Sequence, residues 1–389
     1  MFSKKSGFVM LLAVTVLVCM VLAGCGGGKK DADVIKIGLL NEMTGGNATM
    51  GTSSTNGAKL AFKEINEKGG ILGKKVQTVI ADNKSEPAEA ANAMTKLVGE
   101  KVLAVTGTFA SSNAISSANV AESAKVPYLA AGATNPKVTV DEKTGKVRKY
   151  VFRVCFIDPF QGTVAANFMT NNLKKKNAAI IVDNSSDYSK GLAEFFKAAL
   201  AKNGGSVVAE EAYLQKDQDF KSILTKIKTA NADVIYVPGY YEEVGKIVKQ
   251  ARELGIDSVI LGADGWDSPK LIEIAGADAL NNTYFSNHYS VDSTDTESKA
   301  FVEKYTKEYG QKPDALSVLG YDAAYVLADA IKRANSTDTE KITEAIANTK
   351  GLKVITGTMT LNETHDAVKS AVIIEMKDGK QIFNSTVQP

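Results

Sequence analysis

Short apolar, β-branched runs alternate with longer stretches of helical period from residue 34 onward. The runs 34–40, 76–81, 102–106 and 126–130 are apolar enough to be buried parallel strands. Between them lie 55–67, 88–99 and 113–124, each about the length of a crossover helix. After 136–153 the series restarts, with strand-like runs at 178–182, 206–211, 233–237 and 258–261. Helical stretches near 161–173, 190–203, 219–229 and 241–254 accompany them. Such alternation predicts an α/β fold of parallel sheets covered on both faces, and two series predict two Rossmann-like lobes. The tail reads as helices over 295–309, 314–334 and 339–348, then strands 372–376 and 381–384 around an Asp378-Gly379 turn. The first lobe is therefore expected to span 34–150 and be completed by about 288–350; the second spans 151–287 and is completed by about 351–389.

The first residues follow another pattern. Lys4 and Lys5 precede an apolar stretch over 8–22, interrupted only by Thr15, which ends in Leu22-Ala23-Gly24-Cys25. A basic start, a short apolar core and small residues before a cut predict a signal peptide over 1–24. The setting of Cys25 resembles a bacterial lipobox, in which the cysteine is acylated and becomes the mature N-terminus. The alternative is a plain transmembrane anchor, since the apolar run is only slightly short of a bilayer span of about 20 residues. The small residues before Cys25 and the glycine-rich tether over 25–33 favour the lipid anchor. The expected location is the extracytoplasmic face of the cell membrane.

Composition narrows the chemistry. Residues 1–24 hold two lysines and no acid, so the remainder carries 44 basic and 44 acidic side chains. That balance does not suggest a nucleic-acid surface. Of the three cysteines, Cys19 and Cys25 fall in the leader and its cut site, which leaves Cys155 alone in an apolar run as a small buried hydrophobe. His288 and His365 lack ligand spacing, so no metal and no cofactor is expected.

Ligands of parallel sheets bind beyond the carboxyl ends of the strands. In the first series those ends carry Gly107-Thr108-Phe109-Ala110-Ser111-Ser112-Asn113 and Ala131-Gly132-Ala133-Thr134-Asn135. These are small, hydroxyl-bearing loops; the first opens a helix, a geometry that receives a carboxylate. In the second series they carry Asp187-Tyr188, Tyr240-Tyr241 and Asp264-Gly265-Trp266, an aromatic or an acid at each end. Hydroxyls and helix ends facing a carboxylate and aromatics would suit a small zwitterion with an apolar side chain.

The stretch from Gly57-Ala58-Lys59-Leu60-Ala61-Phe62 to Gly69-Gly70-Ile71-Leu72-Gly73-Lys74-Lys75-Val76 is more specific. With Ile37-Gly38 before it and 82–87 after it, it resembles the leucine/isoleucine/valine-binding proteins, the substrate receptors of branched-chain amino-acid ABC importers. The resemblance covers essentially all of the chain after the leader. It implies the type I periplasmic-binding-protein fold, a three-strand hinge and a ligand cleft between closing lobes. It also implies permease subunits as partners and a monomer. By the same resemblance Ser111 takes the ligand carboxylate, while Gly132 and Thr134 hold its amino and carboxylate ends. Tyr188 and Tyr240 close over the ligand, and Asp264 partners the α-ammonium group, where leucine-type members often carry glutamate. Met50, Phe109 and Trp266 would form the apolar wall. The family's first-lobe disulfide is absent, with Ser85 and Ala110 where cysteines might be expected. Relatives also take aromatic amino acids, amides, urea and small carboxylates.

An enzyme reading finds little support. There is no P-loop lysine motif, nucleophile elbow or His-Glu-x-x-His, and Gly38-Leu39-Leu40-Asn41-Glu42-Met43 is no dinucleotide fingerprint. A sensor module that reports ligand to a membrane receptor is the competing class, because the same lobes would serve it.

Overall fold

The structure, a computed structural model, describes residues 34–389; the leader and Cys25 lie outside the described residues. β1 (Val34–Asn41), β2 (Lys75–Asp82), β3 (Ala104–Gly107), β4 (Tyr128–Ala130) and β5 (Val151–Arg153) form a parallel sheet in the order β2-β1-β3-β4-β5. Side chains alternate along each strand, so one sheet feeds two cores. Ile37, Leu39, Leu129 and Phe152 enter one core; Leu40, Val105, Tyr128 and Val151 enter the other. The first is covered by α1 (Ala48–Glu67), the second by α2 (Pro87–Gly99) and α3 (Ser111–Ala124).

The second sheet places β7 (Ser206–Tyr213), β6 (Asn177–Asp183), β8 (Val234–Tyr236), β9 (Val259–Gly262) and β10 (Thr283–Asn287) side by side and parallel. On one face lie α4 (Asp158–Asn167) and α5 (Asp187–Lys202), packed on Ile180, Val182, Tyr236 and Leu261. The other face is covered by α6 (Lys221–Thr229), α7 (Tyr241–Glu253) and α8 (Pro269–Ala275).

After β10 the chain returns to the first sheet through α9 (Thr296–Tyr309), α10 (Ala315–Ala334) and α11 (Thr339–Ala347). There α10 lies across α1 in near backbone contact. A Cβ on Gly57 would stand 1.8 Å from the Ser317 carbonyl oxygen, and one on Gly320 would stand 2.1 Å from that of Ser54. A small hairpin follows, β11 (Leu352–Val354) and β12 (Gly357–Met359). The chain then ends as β13 (Ala371–Lys377) and β14 (Lys380–Val387), an antiparallel hairpin on the β10 edge of the second sheet. Its turn residues Asp378 and Gly379 have φ of 50° and 71°, as a two-residue hairpin turn requires.

The chain thus passes between the sheets three times: after β5, after β10 and between β12 and β13. The first and third passages are bonded together. Arg153 N–H donates to the His365 carbonyl at 3.2 Å, and the His365 ring contacts the Val151 carbonyl at 3.0 Å while stacking on Phe152. Buried charges fill the same region. Arg153 meets Asp366 at 2.6 Å, and Lys369 donates to the Val154 carbonyl at 3.1 Å. Beside them Cys155 is fully buried, and burial pushes its thiol up to about 12.

The departures from expectation are local. The second sheet is mixed, because the terminal hairpin joins it antiparallel. A helix expected over 161–173 starts at Asp158, where Pro159 suits the first turn, and widens into a π turn over 168–172. Strands β5 and β10 and the β11–β12 hairpin were not anticipated, because three-residue strands and the Ser286-Asn287 end of β10 show no hydrophobic alternation.

Candidate functional site

The carboxyl ends of both sheets face each other across the passages between the lobes, and the residues at those ends meet there. On the first lobe the turn after β3 needs two left-handed residues, Gly107 at φ 121° and Thr108 at φ 62°. A Cβ on Gly107 would lie 2.3 Å from the Leu40 carbonyl oxygen, so glycine is required there. Asn41 accepts from Thr108 N–H at 2.8 Å and holds the turn against β1. The turn delivers Phe109 and the start of α3.

The amides ahead of α3 already have an anion. The fully buried Glu42 carboxylate accepts from Phe109 N–H at 3.1 Å, Ala110 N–H at 3.2 Å, Asn83 Nδ2 at 3.0 Å and Asn113 Nδ2 at 3.1 Å. This is how a helix start stabilises a carboxylate in a dry interior. An incoming carboxylate would therefore be received by the groups beyond, chiefly the Ser111 and Thr134 hydroxyls. Ser111 Oγ accepts from Asn135 N–H at 3.2 Å, and the fully buried Thr134 hydroxyl has no hydrogen-bond partner among the described residues. Gly132 lets the Phe109 ring lie against its backbone, since a Cβ there would fall 2.4 Å from the ring. Met50 is buried in the first turn of α1, next to Gly51, whose Cα touches the Glu42 backbone so closely that a Cβ would fall 2.1 Å from its carbonyl oxygen.

The second lobe supplies Asp264, at the start of a 3-10 turn that follows β9, fully buried. Its Oδ1 accepts from the Tyr188 hydroxyl at 2.7 Å and Gln161 Nε2 at 2.9 Å, and its Oδ2 lies 3.1 Å from His288 Nε2. A carboxylate offers only acceptors, so that ring nitrogen carries the proton. Burial holds the His288 pKa below its ordinary value although Asp264 pulls it up. The ring is thus neutral near pH 7, and among the described residues no lysine or arginine pairs with Asp264. Tyr188 also accepts from Gly265 N–H at 2.9 Å, and its ring stacks on Tyr240 with centroids 5.0 Å apart. Burial pushes both phenols well above their ordinary pKa, and the Tyr240 hydroxyl has no partner among the described residues. Tyr240 in turn meets Phe109 edge to face across the lobes at 5.9 Å. Trp266 packs down on Gly262, where a Cβ would overlap the indole, and donates to the Val237 carbonyl at 3.0 Å. It anchors the turn that carries Asp264.

Asp158, at the start of α4, is a further buried acid on this surface. Burial first, and Asp264 in addition, push its carboxyl up to about 8. The Thr134 hydroxyl and Asn135 side chain lie close enough to favour its charged form, but neither forms a hydrogen bond with it.

The lobes are closed on each other. Ser112 Oγ pairs with Asp187, donating to its carboxylate at 3.0 Å and accepting from its N–H at 3.1 Å. Asn135 Nδ2 donates to the Asp187 carbonyl at 2.8 Å, Thr49 and Ser268 hydroxyls meet at 3.0 Å, and Lys216 pairs with Glu86 at 2.7 Å. The structure brings Ser111, Gly132, Thr134, Phe109, Tyr188, Tyr240 and Asp264 to this one interface. Reading the sequence missed Glu42, Asp158, Gln161 and His288. Glu42 stands at a strand end, like the residues that were found, and could have been singled out on that ground. Gln161 reaches Asp264 from the first turn of α4 and His288 from the second passage between lobes, and no local pattern marks them.

The chain as a whole is similar to known proteins. A family model described as periplasmic binding protein matches residues 34–381. The chain is 35% identical to the Leu/Ile/Val-binding protein BraC3 of Rhizobium johnstonii, over 85% of this chain and 88% of that protein. It is similar to the leucine binding protein LivK of Thermotoga maritima, with 41% identity and a TM-score of 0.86 over 91% of this chain and 99% of the other. The Streptococcus pneumoniae branched-chain amino acid transporter substrate binding protein LivJ, solved in complex with isoleucine, gives 37% identity and the same TM-score of 0.86, over 92% and 100%.

Proposed function

The chain belongs to the periplasmic binding protein family, and from that premise we propose that it captures a free amino acid with an aliphatic side chain between its closing lobes. Leucine, isoleucine and valine are the proposed ligands, and an ABC importer is the proposed recipient. The observation that carries this reading is Asp264, a fully buried carboxylate with three neutral donors, set across the cleft from the Ser111 and Thr134 hydroxyls. An α-ammonium group on Asp264 and an α-carboxylate on the hydroxyls account for both. The side chain then meets the proposed wall of Met50, Phe109 and Trp266, with the stacked Tyr188 and Tyr240 closing over it. The relatives named for leucine, isoleucine and valine support the same class.

The family works outside the cytoplasm. For this chain we infer attachment to the outer face of the membrane through Cys25, with the lobes acting as a monomer. Cys25→Ser should release the protein from membrane fractions at unchanged ligand affinity; retention on the membrane after alkaline washing would favour an uncleaved span.

Titration calorimetry of a chain starting after Cys25 tests the ligand. Each buried methylene contributes about 0.8 kcal/mol, so leucine should exceed alanine by about 2.4 kcal/mol, or roughly fiftyfold. Aspartate and lysine should give no heat. A flat ranking, or preference for a charged side chain or for an acid lacking the amino group, overturns the reading.

A further inference from the structure

Arg153 is fully buried at the end of β5, where the chain leaves the first sheet. Its guanidinium does not point into the cleft. Nη1 donates to the Ala133 carbonyl at 2.7 Å, and Nη2 donates to the Asn135 carbonyl at 2.9 Å and the Thr139 hydroxyl at 3.0 Å. Nε faces Asp366 at 2.6 Å, on the third passage between the lobes. Asp366 is itself held by the Thr139 hydroxyl at 3.0 Å and the Thr364 hydroxyl at 2.7 Å. With the carbonyls of residues 133 and 135 drawn to one side, the peptide between them is turned the other way, and the Thr134 carbonyl accepts from Asp158 N–H at 3.0 Å. Asn135 N–H is bonded to Ser111. Every backbone constraint on this loop that involves a charge comes from Arg153.

We propose that Arg153 is a positioning residue for ligand capture: its planar fork sets the Thr134 loop and ties that loop to the third passage, so loop shape and lobe angle are governed by one side chain. This rests on the amino-acid reading above for the part that concerns affinity. A lysine would keep the charge and the Asp366 pairing but present a point charge in place of a fork that reaches two carbonyls at once. The Lys369 and Asp322 side chains, 3.8 Å apart in the same buried region, touch neither loop carbonyl and provide the control.

The test compares Arg153→Lys, Asp366→Asn and Asp322→Asn by leucine calorimetry and by hydrogen exchange of the ligand-free protein. Arg153→Lys should weaken leucine binding by roughly tenfold or more, and Asp366→Asn by severalfold. Both should speed exchange in 132–135 more than in the adjoining β4, whereas Asp322→Asn should lower the unfolding temperature and leave the affinity of the folded protein unchanged. In a cycle with Thr134→Ala, the Arg153→Lys loss should add little, because both remove the same contact. The proposal is overturned by native affinity in whichever of the first two variants folds, by full additivity with Thr134→Ala, or by an equal affinity loss in Asp322→Asn. A native protein that binds no amino acid refutes the ligand reading alone; the exchange of 132–135 then decides the clamp by itself.

Discussion

Asp264 carries hydrogen bonds from Tyr188, Gln161 and His288, all of them neutral groups. They orient the carboxylate without cancelling its charge, which leaves the pairing cation to come from outside. Asp264→Asn keeps an acceptor for the Tyr188 hydroxyl but removes the charge. Breaking a buried pair costs about 3–5 kcal/mol, so leucine affinity should fall by at least about a hundredfold in calorimetry. The unfolding temperature of the ligand-free variant should change little by comparison. Asp158 behaves differently. Its folded pKa, raised to about 8, exceeds its unfolded value, so the folded state binds the extra proton between roughly pH 4 and pH 8. Stability from this residue is full below that window and is lost as the pH rises through it. His288 and His365 have pKa values lowered by burial, so they act in the opposite sense and cost stability as the pH falls below about 6.5. Thermal scans should show Asp158→Asn gaining on the native chain from pH 5 to pH 8; a constant offset across that range would contradict the assignment.

Secondary elements show where sequence reading succeeds and where it stops. The strands β1, β6 and β8 and the helices between them were legible because buried parallel strands are apolar runs and crossover helices have a characteristic length. The terminal hairpin was legible through Asp378-Gly379 alone. Strand β5 was not, because three residues inside the longer apolar run 150–156 carry no period, and its role depends on what β4 offers as an edge. Among the candidate site residues, Ser111, Thr134, Tyr188, Tyr240 and Asp264 come within a few residues of a strand end, which made them candidates. Glu42 also follows a strand, yet its function is set by amides about 67 residues away, a distance no local pattern encodes. The crossing of α1 and α10 is equally nonlocal. Gly57 sits in a helix where alanine would be intrinsically better, yet its missing side chain admits the α10 backbone. Gly57→Ala should cost about 3 kcal/mol by overpacking, at the upper end for such insertions, since its obstacle is a carbonyl. Denaturant titration would show this as a lower midpoint; an unchanged or higher midpoint would mean that the helices slide apart freely.

For the molecule as a whole, closure is carried by contacts at the rim as well as in the cleft. Lys216 and Glu86 pair across the lobes at 2.7 Å with both side chains largely exposed. Such a pair contributes little to folding, but it exists only when the lobes meet, so its effect appears in binding. Lys216→Glu would set two carboxylates against each other in the closed form. Leucine affinity should fall roughly two- to fivefold at low salt and recover towards the native value near 1 M salt, where charges are screened beyond about 3 Å. An equal loss at both salt concentrations would place the effect elsewhere. A mutation at the Ser112–Asp187 contact, which is half-buried, should resist salt more strongly.

The state of Cys155 has a practical outcome. A chain begun after Cys25 contains this one thiol, and the thiol is fully buried and protonated at any pH used for labelling. Maleimide dyes react with exposed thiolates, so the natural chain should remain dark to them. Cysteines introduced at positions 86 and 216 would then be the only attachment points, one on each lobe, beside each other when the protein is shut. A self-quenching dye pair at those positions would brighten as the lobes part and dim as they meet. That would make the protein a reagentless fluorescent meter for its own ligand, with no cysteine to remove first.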